Sequence, residues 1–405
     1  MPMTGGENEP NDDIVVSVFG RTDVGRTREH NEDAFIVADL TTNKATLEPE
    51  VRRHKPGPKG TLFMVADGMG GAAAGEIASA MAVEIVLSEL RVTWVGRPDA
   101  KGSEGFARAL KQAARAANEQ INAYATHHPE FRGMGTTATI AGFLGDTLYL
   151  AQVGDSRAYL VRRGVARQIT KDQSLMQKLI EAGELTEEEA EHSERRNIIL
   201  QALGPEPSVK VDLTHQTVRR GDILVLCSDG LSGQVTKDDI ANVVRDTSDL
   251  LDACKRLIER ANAAGGPDNI TVIIARFDGE GLEPPATADE VGHRAYPFAD
   301  TGPMPVASDA ITPTDLPRVS PAALANMPPS DAPAEGTPQG ERTGWKTPSP
   351  ASAIPLLPPY VSPERRKIGR ILAVALLAIL LIGATWFVVR GTRLMSGSPS
   401  TAPTP

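Results

Sequence analysis

Short apolar runs and longer helical stripes come in groups along the first two thirds of the chain. Apolar or β-branched stretches at 14–18, 35–37 and 62–66 predict strands. Residues 76–90 carry helical spacing. Ile77, Met81 and Ile85 form one stripe and Val83, Val86 and Leu90 a second, so much of this helix is expected to be covered. An alanine-rich helix follows at 105–126. A strand-dense block comes next, at 137–143, 148–153 and 158–161, with Gly145-Asp146 and Arg163-Gly164 as its tight hairpin turns. Residues 171–182 and 186–191 predict short helices in a charged, mobile stretch. Strands return at 209–213 and 223–227, helices at 237–244 and 248–264, and a closing strand at 270–277. Grouped strands joined by hairpins favour an α+β layered architecture over a doubly wound parallel sheet.

Composition changes this picture only beyond residue 278. Of the 31 prolines, more than half fall in 282–363 among Ala, Thr and Ser. That stretch is too poor in aromatic and β-branched residues to bury a core. Residues 371–389 then run without a charge. As a helix they would extend roughly 28 Å, close to a bilayer's hydrocarbon thickness. Arg365, Arg366, Lys367 and Arg370 precede the run and Arg390 and Arg393 follow it, which orients the N-terminal side to the cytoplasm. The expected organisation is a disordered N-terminus (1–13), a catalytic domain (14–278), a proline-rich disordered linker (279–364), a transmembrane helix (368–390) and a short extracytoplasmic tail (391–405). The first residues are acidic and polar, with no secretory signal pattern. A net charge of −10 disfavours nucleic acid as a partner. The two cysteines make no disulfide framework and read as buried thiols in a reducing compartment.

Candidate chemistry sits where acidic residues end apolar runs. Asp67 follows 62–66 and precedes Gly68, so a carboxylate is delivered to the rim of a core; the glycines at 68, 70 and 71 permit unusual backbone angles and let a carbonyl face inward. Asp229 repeats the arrangement after 223–227, and Asp268 precedes 270–277. Singly, each Asp-Gly pair is a turn signal. Together, three carboxylates at strand ends could converge, and hard divalent cations would turn their repulsion into coordination; all-oxygen ligation suits Mg²⁺ or Mn²⁺ rather than Zn²⁺.

The ordered motifs NEDAF, VADGMGG, GMGTTAT, VGDSRAYL, CSDGL and GPDNIT, over about residues 15–277, resemble the bacterial form of the metal-dependent type-2C protein phosphatase family. The resemblance implies a four-layer αββα sandwich of two antiparallel sheets flanked by helices. It implies hydrolysis of phosphoserine and phosphothreonine in proteins by a metal-bridged hydroxide, with no phosphoenzyme. Asp67 would bridge two Mn²⁺ or Mg²⁺ ions, the Gly68 carbonyl would join one, and Asp229 and Asp268 would hold the other. Asp155 would share a third, weaker ion with Asp229. Glu32 and Asp33 match carboxylates that orient water, and Arg28 matches the arginine that grips phosphate. Residues 171–204 match a flap beside the site, with Asn197 as a polar residue near the third ion. Met69 departs from members that carry a histidine there as general acid, so the acid stays unassigned; His30 lies in the first motif.

Two rivals stand beside this reading. Residues 254–260 fit the C-x-x-x-x-x-R spacing of cysteine-dependent phosphatases, but they contain no glycine, and Leu251, Cys254, Ile258 and Ala261 share one helical stripe, which predicts core. A catalytically weak phosphoprotein-binding scaffold is the other alternative; such proteins usually lose ligands, and here all are present. The expected partners are phosphorylated proteins, above all a membrane Ser/Thr kinase and its substrates.

Overall fold

The computed structural model describes residues 14–70, 74–191, 193 and 195–297. Its elements, in chain order, begin with β1 (Val15–Asp23), β2 (Asp33–Asp39), α1 (Pro49–Arg52), β3 (Arg53–His54), β4 (Thr61–Met69), α2 (Ala74–Leu90) and α3 (Gly102–His127). Next come β5 (Gly135–Thr136), β6 (Ala138–Leu144), β7 (Thr147–Val153), β8 (Arg157–Arg162), β9 (Val165–Gln168), α4 (Leu175–Glu181) and α5 (Glu187–Glu191). The series closes with β10 (Asp212–Thr217), β11 (Ile223–Cys227), α6 (Asp229–Ser232), α7 (Lys237–Asp246), α8 (Leu250–Ala263) and β12 (Ile270–Asp278).

Two antiparallel sheets result, one ordered β3-β1-β12-β11-β8-β9 and the other β10-β7-β6-β4-β2 with β5 paired to β4. Strand alternation explains why the central strands read as continuous apolar runs. In β4, Phe63 and Val65 face the space between the sheets, whereas Leu62, Met64 and Ala66 face α2 and α3. In β11, Leu224 and Leu226 join the inter-sheet core, and Ile223, Val225 and Cys227 pack against α7 and α8. Both faces are buried, so no polar position breaks the pattern. The expected αββα layering and antiparallel pairing are present. Ser174, Thr236 and Asp249 each accept a backbone N–H at the start of α4, α7 and α8, which fixes where those helices begin. Arg163 and Gly164 both take positive φ (52° and 76°), as a tight primed hairpin turn demands.

Three differences from the sequence expectation have local causes. The short strands β3, β5 and β9 carry too few residues for a pattern. The strand expected at 209–213 begins at Asp212 and runs to Thr217, because its partners are supplied by β7 rather than by local apolar character. Residues 279–297, assigned from composition to the linker, pack on the domain instead. Leu282 is buried in the inter-sheet core and Val291 packs against it. Asp289 pairs with Arg219 at 2.9 Å, His293 with Asp212 at 2.7 Å, and Tyr296 donates its N–H to Leu213 O at 2.8 Å. This strap covers the outer edge of β10. Among the described residues no helix is long and apolar enough to cross a membrane. The expected span 368–390, the N-terminus 1–13, the remainder of the linker and the tail all lie outside the described residues.

Residues Arg91–Val95 extend α2 as one turn of π-helix, with Trp94 buried. Lys59 braces that turn. Its Nζ donates to the carbonyls of Trp94, Arg97 and Ala100 at 2.9, 3.1 and 3.0 Å and lies 4.8 Å from the Trp94 ring centroid. Lys59→Met should lower unfolding free energy by about 2 kcal/mol, since it strips three carbonyls of a charged donor. Urea titration reads this directly, and an unchanged midpoint would dismiss the brace.

Candidate active site

The strand ends of both sheets meet at one edge of the sandwich. Antiparallel pairing of β2 with β4 sets Asp33 opposite Asp67. Pairing of β11 with β12 ends at Cys227 opposite Val272, so Asp229, just past β11, comes beside Asp268, just before β12. Asp33 then ties the sheets together. Its Oδ2 accepts from Ser228 Oγ at 2.8 Å and from Thr271 Oγ1 at 2.6 Å, while its own strand belongs to the other sheet. The Asp67 backbone is equally fixed: its N–H donates to Thr137 Oγ1, and its carbonyl accepts from the Thr137 N–H and Thr136 Oγ1.

Gly68 is required by its surroundings. A Cβ there would lie 2.2 Å from Gly75 O and 2.5 Å from Glu32 O. Its N–H donates to Glu32 O at 3.2 Å, and Gly75 in turn makes room for the Glu32 carboxylate. Glu32 therefore lies against the Asp67-Gly68 end of β4.

The electrostatics are those of crowded like charges. Burial, then the charges of Asp33, Asp229, Asp268 and Asp155, push Asp67 well above the ordinary carboxylate range. Burial pushes Asp33 to about 7 against the hydroxyls that favour its charge. Asp229 is raised by burial and then by Asp268, Asp155 by burial and then by Asp229, and Glu32 by burial against the opposing pull of Arg28. One oxygen each of Asp33, Asp155 and Asp229 is buried with no hydrogen-bond partner. Oxygen-only donors, mutual repulsion and unpartnered lone pairs fit a hard divalent cation. Among the described residues no three acidic, histidine or cysteine side chains already close around one point. The Arg28 guanidinium meanwhile engages Asp268 at 3.0 and 3.1 Å.

Asn269 sets the loop that carries Arg28. Its Oδ1 accepts from Glu32 N at 2.8 Å, and its Nδ2 donates to Val24 O and His30 O at 3.0 and 2.9 Å. Next to Asp155, the Arg157 guanidinium forks onto buried Asp172 at 2.7 to 3.2 Å, and Gln168 donates to the same carboxylate. Burial alone would lower Arg157, but Asp172 holds it charged.

Of the nine sequence candidates, Asp33, Asp67, Asp155, Asp229 and Asp268 fall within one another's fields, with Arg28 and Glu32 beside them and Gly68 next to Asp67 in β4. Asn197 does not join them: it is exposed in a turn, and no hydrogen bond among the described residues links it to the carboxylates. Met69 lies in β4 opposite Gly135, and exposed His30 contributes its backbone carbonyl to Asn269. Cys254 is buried in α8 with its thiol pushed up to about 12 by burial, so it is no nucleophile. Sequence reasoning missed Ser228, Thr271, Asn269, Arg157 and Asp172. Four of these lie in the quoted motifs; Asp172 carried no signal.

Comparison with known proteins agrees with this fold. The family model described as protein phosphatase 2C matches residues 52–268. The serine/threonine phosphatase stp of Listeria monocytogenes is 36% identical over 258 residues, which cover 64% of this chain and 94% of that protein. The serine/threonine protein phosphatase PstP of Mycobacterium tuberculosis is 37% identical over 263 residues, covering 65% of this chain and 45% of PstP. The crystal structure of M. tuberculosis PstP/Ppp superposes with a TM-score of 0.54 at 36% identity, covering 66% of this chain and 99% of that one. A PstP catalytic domain in complex with two manganese ions superposes with a TM-score of 0.52 at 36% identity, covering 65% and 99%. On fold, carboxylate constellation and relatives together, the chain belongs to the protein phosphatase 2C family and is a protein-serine/threonine phosphatase.

Proposed function

We propose that the enzyme hydrolyses phosphoserine and phosphothreonine in proteins by direct attack of water, without a phosphoenzyme, at a divalent-metal centre held by Asp67, the Gly68 carbonyl, Asp229 and Asp268. A third ion would be shared by Asp155 and Asp229. The observation that carries this is the convergence of five carboxylates from both sheets with three orphaned oxygens. When bound, Mn²⁺ or Mg²⁺ ions supply Lewis acidity toward the phosphate and lower the pKa of water. Arg28 binds two phosphate oxygens through its planar fork. Glu32 and Asp33 hold water in line with phosphorus, and Asp33 keeps the two sheets' contributions in register. The two buried cysteines, each pushed up to about 12, argue against a cysteinyl phosphoenzyme.

The same reading puts the enzyme at the cytoplasmic membrane through residues 368–390, where it would reverse a membrane Ser/Thr kinase and dephosphorylate that kinase's substrates. The uncharged run between arginine-rich flanks supports the tether. The test is turnover of a phosphothreonine peptide by the full chain with Mn²⁺ and with chelator. Activity that survives chelation would overturn the metal-centre reading, and activity that resists removal of Arg28 would overturn its phosphate-binding role. Recovery of the full chain in the soluble cell fraction would overturn the tether.

The raised carboxylates also give the metal-free protein a definite pH response. Asp33 stays protonated in the fold up to about 7 but ionises near 3.8 when unfolded. Between these values the native state binds more protons, so metal-free stability falls as pH rises through the window and levels above it. Thermal melts in chelator from pH 5 to 8 should show that decline, and added Mn²⁺ should stabilise more at the upper end. Asp33→Asn should make the decline shallower, leaving the part that the other raised carboxyls contribute; a rising profile in the parent would contradict the crowding.

A further inference from the structure

Gln173, outside the carboxylate cluster, uses every polar group it has. Its backbone N–H donates to Gly154 O at 2.9 Å, and its Oε1 accepts from Gly154 N at 3.0 Å, so it grips both sides of the residue preceding Asp155. Its backbone carbonyl accepts from Leu200 N at 2.8 Å, and its Nε2 donates to Lys210 O at 3.1 Å. Those partners lie on the chain leaving the flap, whereas Gln173 lies on the chain entering it. The next residues zip the two arms together: Ser174 bridges Ile199, and Leu175 N donates to Ile198 O at 2.9 Å. On the entry side, Asp172 is clamped by Arg157 and Gln168.

We infer that Gln173 is a positioning residue that locks both roots of the flap to the Asp155 turn, so that displacement of the flap by a bound protein substrate moves the Asp155 carboxylate. The inference rests on the reading of Asp155 as an ion ligand. A turn held only by its own backbone would leave the flap free to move without consequence for Asp155. Here two of Gln173's bonds go to Gly154 and two to the flap's exit arm, and the residue's short reach ties both to one Cα.

Two variants in the full chain separate coupling from simple stability. Gln173→Met fills the same space but removes both side-chain bonds. Gln173→Glu keeps the acceptor for Gly154 N–H and loses the donor to Lys210 O. Amide hydrogen exchange in chelator should show the Met variant opening Gly154 by about tenfold and Leu200, whose bond to the Gln173 backbone carbonyl remains, by less as the exit arm loosens, with other strand amides unmoved. The Glu variant should keep Gly154 protected, with Leu200 loosened only through the lost bond to Lys210 O. The manganese concentration for half-maximal turnover should rise by about 10-fold in the Met variant and less in the Glu variant, as for residues that orient ligands. Asp155→Asn serves as reference. If it leaves the manganese requirement unchanged, the Asp155 reading fails. If it shifts the requirement and Gln173→Met does not, the coupling inference is overturned, as it is if exchange accelerates across the whole domain in proportion to a lowered Tm.

Discussion

Asp67→Asn in the full chain should cut turnover of a phosphothreonine peptide by about 10³-fold or more, the equivalent of several kcal/mol of lost metal-centred stabilisation. The same change should raise the melting temperature of the metal-free protein. Asp67 is raised well above its ordinary range because burial and four neighbouring carboxylates disfavour its charge, and a neutral amide of equal size relieves that repulsion. The stabilisation added by Mn²⁺ should vanish with it. Opposite signs for activity and stability separate loss of a ligand from misfolding, and they are the expected signature of a site that trades stability for function. Asp229→Asn should behave alike, its carboxyl being raised by burial and by Asp268. Retained activity in either variant, or a lowered melting temperature in both, would sink the proposed centre. Cys254→Ser, by contrast, should leave turnover unchanged.

A chain ended after residue 278 should melt about 10 °C below one ended after residue 297. The truncation removes Leu282 from the inter-sheet core and the Asp289 partner of Arg219, and it strips the hydrogen bonds along β10. Burial of one leucine contributes about 2 kcal/mol and the polar contacts a similar sum. For a domain of this size each kcal/mol shifts Tm by about 2–4 °C. The shorter chain also bares a strand edge, so it should aggregate at concentrations where the longer one stays monodisperse. Equal melting curves would show that the strap merely rests on the surface.

The layers and the carboxylate cluster were legible because they follow from strong local signals. Runs such as 62–66 and 223–227 are apolar on both faces, and the aspartates that end them stand out against that background. The strap was illegible for the opposite reason. Residues 279–297 are proline-rich and polar, and their order depends on long-range partners such as Arg219, Asp212 and Leu213 that no local pattern announces. Asp172 was invisible for the same reason, since its role arises from Arg157 across a strand pair. Asn197 was carried over from the family pattern, and the turn that holds it is exposed. The role of Asn269 could have been suspected: an asparagine directly after a clustered carboxylate and before a buried strand must spend its amide somewhere.

Because Asp33 fastens one layer to Ser228 and Thr271 of the other, the catalytic apparatus doubles as an alignment gauge for the whole molecule. Phe63 and Phe143 from one layer meet Phe277 from the other in a ring cluster midway through the sandwich. A slip of a single ångström at those rings would separate the two groups of acidic side chains long before the strands let go of each other. Warming should therefore silence the enzyme at temperatures where circular dichroism still reports an intact protein.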